Sequence, residues 1–134
     1  MAQAGHLGNG PKCCKEDSMK VYKQGEQITG LAPAGYLKSV NATFFGPEAQ
    51  DVWRIDAGSM DSVPIVGIWG VEKGKFELTY GTNEFVTILE GRAVITQGGK
   101  SYEVSPGDSF FTPKGETVQW HVLEDIRKCF MVTT

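Results

Sequence analysis

The chemistry open to this chain starts with one carboxylate. In YGTNEFVTILEG, residues 80–91, a polar loop leads into an apolar strand that carries Glu84, and a glycine closes it. A glutamate that faces an apolar interior loses the hydration of its charged form, the condition under which it serves as a general acid or base. Tyr80 could donate its hydroxyl to a ligand, or stand as an amphipathic wall residue. Trp69, Phe76, Phe110 and Trp120 could form the flat walls of a ligand pocket, or simply fill a core.

Other reactive residue types are scarce. The histidines are His6 and His121, and the cysteines are Cys13, Cys14 and Cys129. An odd number of thiols, two of them adjacent, is a poor disulfide framework, and without a C-x-x-C pair a zinc site is unsupported. Cys13 and Cys14 read as thiols in a mobile tail. A nucleophilic Cys129 would need a base, and no histidine is expected near it, so it reads as buried and inert. Arg127 is expected to pair with Glu124 or Asp125 rather than clamp an anion. Two short stretches are decoys. QGGKS lacks the upstream glycine of a phosphate loop, where Val94 stands, so it is a hairpin turn. NAT at 41–43 fits a glycosylation acceptor, but nothing like a secretion signal accompanies it.

The elements that position these residues read as short strands. Glycine contributes 17 of 134 residues without a collagen period, which points to many tight turns. From residue 36 onward, runs rich in Val, Ile, Phe, Tyr and Thr alternate with turn signals such as EKGK, EGR, QGGK, SPGD, PKGE and EDIRK. That spacing indicates an all-β sandwich or barrel. A first strand is expected near MKVYK, 19–23. In KFELTY, Phe76, Leu78 and Tyr80 oppose Lys75, Glu77 and Thr79. In TVQWHVLE, Val118, Trp120 and Val122 oppose Thr117, Gln119 and His121. The apolar sets should face inward and Glu77 outward. FVTILE alternates less cleanly, so both its faces are expected to be covered, one of them by a second sheet or subunit. Trp53 reads as an outer or dimer-facing residue.

Composition bounds the rest. A net charge of −3 with interspersed signs and no basic stripe argues against a nucleic-acid partner. No apolar run approaches the ~20 residues that span a bilayer, so no membrane partner is expected. Residues 1–20 lack an apolar core of the signal-peptide kind, and a cytoplasmic location is the expectation. Residues 1–18 read as a flexible tail and 19–134 as a single domain.

Three pieces, in order, carry a resemblance. GIWGVEKGKFELTYGTNEFVTILEG is followed by the hairpin RAVITQGGKSYEVS, then by PGDSFFTPKGETVQWHVLEDIRKCFMV. Together they resemble the cupin superfamily, and within it the ureidoglycine-aminohydrolase-type and ethanolamine-utilisation-type small cupins, over roughly residues 45–132. The spacing from Glu84 to Gly91 matches the end of the first cupin motif. Gly107, Pro113 and Gly115 match the second. The resemblance implies a jelly-roll β-sandwich or barrel with little helix, a habit of pairing subunits into homodimers, and an inward-facing Glu84. It also implies a metal held by histidines, and here the chain departs from the pattern. The first-motif positions hold Glu77, Leu78, Thr79 and Tyr80, and the last ligand position holds Val118. One carboxylate does not hold a transition metal tightly, because such ions take three or four N, O or S ligands.

The expectation is therefore a metal-poor cupin with no cofactor. It would bind a small organic molecule between Trp69, Phe76, Phe110, Val118 and Trp120, oriented by Glu84 and Tyr80. Two alternatives stand beside it. One is a metal-independent lyase, isomerase or hydrolase using Glu84 as acid or base; the other is a structural or regulatory dimer with a filled barrel and no ligand. Glu84 itself could instead be a vestigial carboxylate hydrogen-bonded to Tyr80, a threonine or the backbone.

Overall fold

β-branched and aromatic runs separated by glycine turns fold into strands that pair in sequence neighbourhoods. The computed structural model describes residues 18–59 and 61–134, so the expected tail, with His6, Cys13 and Cys14, lies outside the described residues apart from Ser18. Among the described residues the strands are β1 (Ala32–Pro33), β2 (Thr43–Phe44), β3 (Asp51–Ser59), β4 (Ser62–Val71), β5 (Gly74–Thr79), β6 (Asn83–Gln97), β7 (Lys100–Val104), β8 (Ser109–Thr112) and β9 (Thr117–Thr133). One turn of helix, α1, spans Tyr36–Ser39. The architecture is the expected all-β cupin-type jelly roll, a curled antiparallel sheet that forms a half-barrel.

Two long strands make its spine. The first part of β9 pairs with β5 and the second part with β4, while β6 runs antiparallel along both parts. β6 also carries β8 on its first half and β7 on its second. Both spine strands bend where the β6–β9 register shifts, between Ile88 and Ala93. Gly91 sits at this crease with a φ of 89°, and a Cβ there would lie 2.2 Å from the Asp125 carbonyl oxygen. Only glycine tolerates both conditions. The expected turns at EGR and EDIRK are therefore bends inside continuous strands, because a bulge re-aims a strand without ending its pairing. The expected strand at 19–23 does not form.

Alternation sorts the faces as expected in β5 and in early β9. Phe76, Leu78, Tyr80, Val118, Trp120 and Val122 are buried, while Lys75, Thr79, Thr117 and His121 are exposed. In β6, Val86 and Ile88 face the same core. The opposite face of FVTILE is open at Phe85, which is 46% exposed beside its register partners Phe111 and Met131. Among the described residues no second sheet covers it.

Residues 18–30 cross the outer side of the sheet without regular structure. Tyr22 donates its hydroxyl to Asp56 Oδ2 at 2.7 Å. Arg54 binds Asp56 through Nε and Nη2 at 2.8 and 3.0 Å, and donates Nη1 to the Thr29 carbonyl at 2.8 Å. This knot ties the entering segment to β3.

Candidate functional site

The site grows out of the inward faces of β3, β4, β5 and β9. Alternation in β9 continues past the crease, so Ile126, Lys128, Phe130 and Val132 share the inner face. A lysine thus stands in a row of apolar side chains, and Lys128 is only 4% exposed. An ammonium is almost never buried without a partner. Its partner is Glu84, at the start of β6, whose Oε1 accepts from Lys128 Nζ at 3.2 Å. The ammonium also lies 4.8 Å from the centre of the Trp69 ring and 4.9 Å from that of Trp120. Two electron-rich indole faces therefore share its charge.

The indoles are held from behind. Trp69 donates Nε1–H to the buried Asp51 Oδ2 at 2.9 Å. The same oxygen accepts the backbone N–H groups of Tyr36 and Leu37 at 3.1 and 3.2 Å, and so closes the first turn of α1. Trp120 donates Nε1–H to the Tyr80 hydroxyl at 3.2 Å. Its ring stacks on Phe76 at 6.2 Å between centroids. Burial pushes the Tyr80 phenol well above its ordinary value, and the nearby Glu84 charge adds to this. The Tyr36 phenol is raised by burial, then by Glu84 and Asp51. Both hydroxyls thus stay protonated and able to donate near the carboxylate.

These groups line a cavity of about 260 Å³ whose wall is mostly apolar. Glu84, Tyr80, Trp69, Phe76 and Trp120 all border it, with Lys128, Tyr36 and Trp53. Phe110 and Val118 do not. Phe110 packs against Trp120 at 5.8 Å, and Phe110 and Val118 border a separate pocket under β7 and β8. Trp53 corrects an expectation: it shares the inner face of β3 with Ile55 and packs on Tyr36 at 6.1 Å, so it is a wall of the cavity and not an outer residue.

Two further expectations change. Arg127 pairs with neither Glu124 nor Asp125; it donates to the Ile126 carbonyl at 2.9 Å. The crease turns Glu124 towards Arg92, which holds it at 2.9 Å, and Asp125 accepts the Lys73 N–H. Glu84 does not stand among apolar neighbours alone, because Lys128 supplies a counter-charge at hydrogen-bond distance. Cys129 is half-buried, with its thiol pushed up by burial.

Lys128 and Asp51 were not singled out in the sequence. For Lys128 a signal exists: it sits in phase with Ile126, Phe130 and Val132. For Asp51 none does, because its three donors converge only in the folded chain.

The fold implies a metal, and the donor set does not fit one. Among the described residues no group of three or more His, Cys, Asp or Glu side chains comes together. The one carboxylate in place already binds an ammonium, so a cation would have to displace Lys128.

Comparison with known proteins agrees with the architecture. The family model of the EutQ-like cupin domain matches residues 58–130, more than half of the chain. The fold is similar to that of EutQ from Clostridium difficile, with a TM-score of 0.57 and 18% identity over 71% of this chain and 76% of that one. A putative ethanolamine utilization protein Q from Salmonella typhimurium gives 0.55 and 20% over 62% and 68%. A DUF861-family protein of unknown function from Pseudomonas syringae gives 0.64 and 22%, over 79% of this chain but 45% of that one. No match was found among curated proteins. With that model matched over more than half of its length, the chain belongs to the EutQ-like cupin domain family.

Proposed function

We propose that this cupin domain binds a small organic molecule in the cavity between Trp53, Trp69, Phe76 and Trp120, without a tightly bound transition metal. One observation carries the reading: a charge pair is retained at the wall of an apolar, aromatic cavity. Pure core would be better served by apolar side chains there, since a buried ion pair seldom beats well-packed hydrophobes of similar volume. A few polar groups in an apolar pocket are what orients a small ligand.

The test is a fragment screen by ligand-observed NMR on the protein and on Trp69→Ala. Hits that bind the protein and are lost in the variant support the reading; no hits overturn it. Elemental analysis of the purified protein checks the metal clause, and stoichiometric Fe, Mn, Ni or Zn would refute it.

The same proposal includes a homodimer. Phe111, Phe85 and Met131 form an apolar row on the outer face, 58%, 46% and 43% exposed, and a second copy would cover it. Sedimentation of the protein and of Phe85→Glu tests this: a dimer that becomes a monomer supports it, and a monomeric parent overturns it.

A further inference from the structure

The valences of the Glu84–Lys128 pair are only partly used inside the protein. Lys128 Nζ has three N–H donors, and a single hydrogen bond, to Glu84 Oε1, is formed. Glu84 Oε2 accepts no hydrogen bond from the described residues. The two indole faces restrict where the ammonium can go, and both Glu84 and Lys128 border the cavity. The pair is electrically balanced, and the buried Asp51 has its Oδ2 engaged by Trp69 and α1.

Charge therefore selects the head of the ligand. A carboxylate brought to Lys128 would place a second anion against Glu84, whose one counter-ion is that same ammonium. An ammonium brought to Glu84 would place a second cation against Lys128. An uncharged head that carries a donor and an acceptor on one edge meets neither penalty. Its N–H can reach Glu84 Oε2 while its carbonyl accepts from Lys128. The Tyr36 hydroxyl, which makes no hydrogen bond to the described residues, supplies one more donor at the same wall.

We propose that the cavity selects an uncharged planar amide, a carboxamide or lactam, carried on a flat apolar body about one aromatic ring in size, and rejects the matching carboxylate and ammonium. This rests on the cavity-binding reading above and adds the class of ligand. The cavity of about 260 Å³ and its aromatic walls set the size and shape of the body.

The test uses benzamide, benzoate, benzylammonium and, as a body without a polar head, toluene. Binding is read from the indole N–H signals of protein labelled with 15N-tryptophan. Benzamide is expected to bind at least about tenfold more tightly than the other three. Glu84→Gln is expected to move the preference to benzoate, and Lys128→Met to benzylammonium, because each leaves one charge uncompensated. If either variant fails to fold, the series on the unaltered protein still decides. Toluene binding with no gain for benzamide, or a preference for either charged probe, overturns this inference and leaves cavity binding standing. No indole shift with any of the four probes overturns this inference as well, and the fragment screen decides cavity binding.

Discussion

Two clusters of charge face each other across the sheet, and they are built to opposite rules. On the outer side, Arg54 and Asp56 meet through two parallel contacts, and Tyr22 and the Thr29 carbonyl take up further valences. On the inner side, Glu84 and Lys128 share one contact at 3.2 Å and leave an oxygen and further N–H groups unspent. The outer knot is a fastener, since its geometry is saturated and its task is to hold residues 18–30 on β3. The inner pair is unsaturated and sits at the wall of a cavity. Saturation of hydrogen-bond capacity, more than burial or charge, separates a structural ion pair from one that can receive a guest.

The contrast can be broken experimentally. The largest effect is expected for Lys128→Met, which strands a buried carboxylate and should cost about 3–5 kcal/mol in urea unfolding. The double variant with Glu84→Gln should recover most of that loss, because it removes both charges. Asp51→Ala should follow, at about 3 kcal/mol, since three donors lose their acceptor. It should also free the Trp69 ring, seen as a changed tryptophan emission. The outer knot should respond more weakly. Arg54→Ala is expected to lower global stability by about 1 kcal/mol or less, because the guanidinium is partly exposed and screened. Its main readout is faster hydrogen exchange in residues 18–30, with the cavity signals unmoved.

The smallest effect is one of pH. Burial alone would raise Asp56, but the hydrogen bonds from Arg54 and Tyr22 outweigh it and hold the carboxyl below its ordinary value. A depressed carboxyl contributes its stabilisation above the unfolded value, roughly pH 4, and loses it as pH falls through the folded one. Exchange in residues 18–30 should therefore rise on acidification below about pH 4. Tyr22→Phe should shift that rise to higher pH. An acid-insensitive segment would show that the knot does not hold it.

The faces of β5 and early β9 were legible because period-two alternation needs only a local window. KFELTY and TVQWHV declare their inner sides outright. The crease was not legible, since EGR and EDIRK carry the residues of turns while the chain continues through them, and only long-range pairing of β6 with β9 distinguishes bend from reversal. Glu84 could be read from its spacing to Gly91. Lys128 could have been read by extending the alternation of Ile126, Phe130 and Val132, yet a lysine beside an arginine suggests surface. Trp53 could likewise have been placed from its phase with Ile55. Asp51 stayed hidden because its donors come from β4 and α1, far away in sequence.

One consequence of Lys128 reaches beyond packing. Its positive charge is tethered to the backbone by a covalent stem. A chelator cannot strip it, a competing ion cannot exchange for it, and scarcity of trace elements cannot empty the site. It also cannot change oxidation state. The charge at this wall is installed when the chain is synthesised.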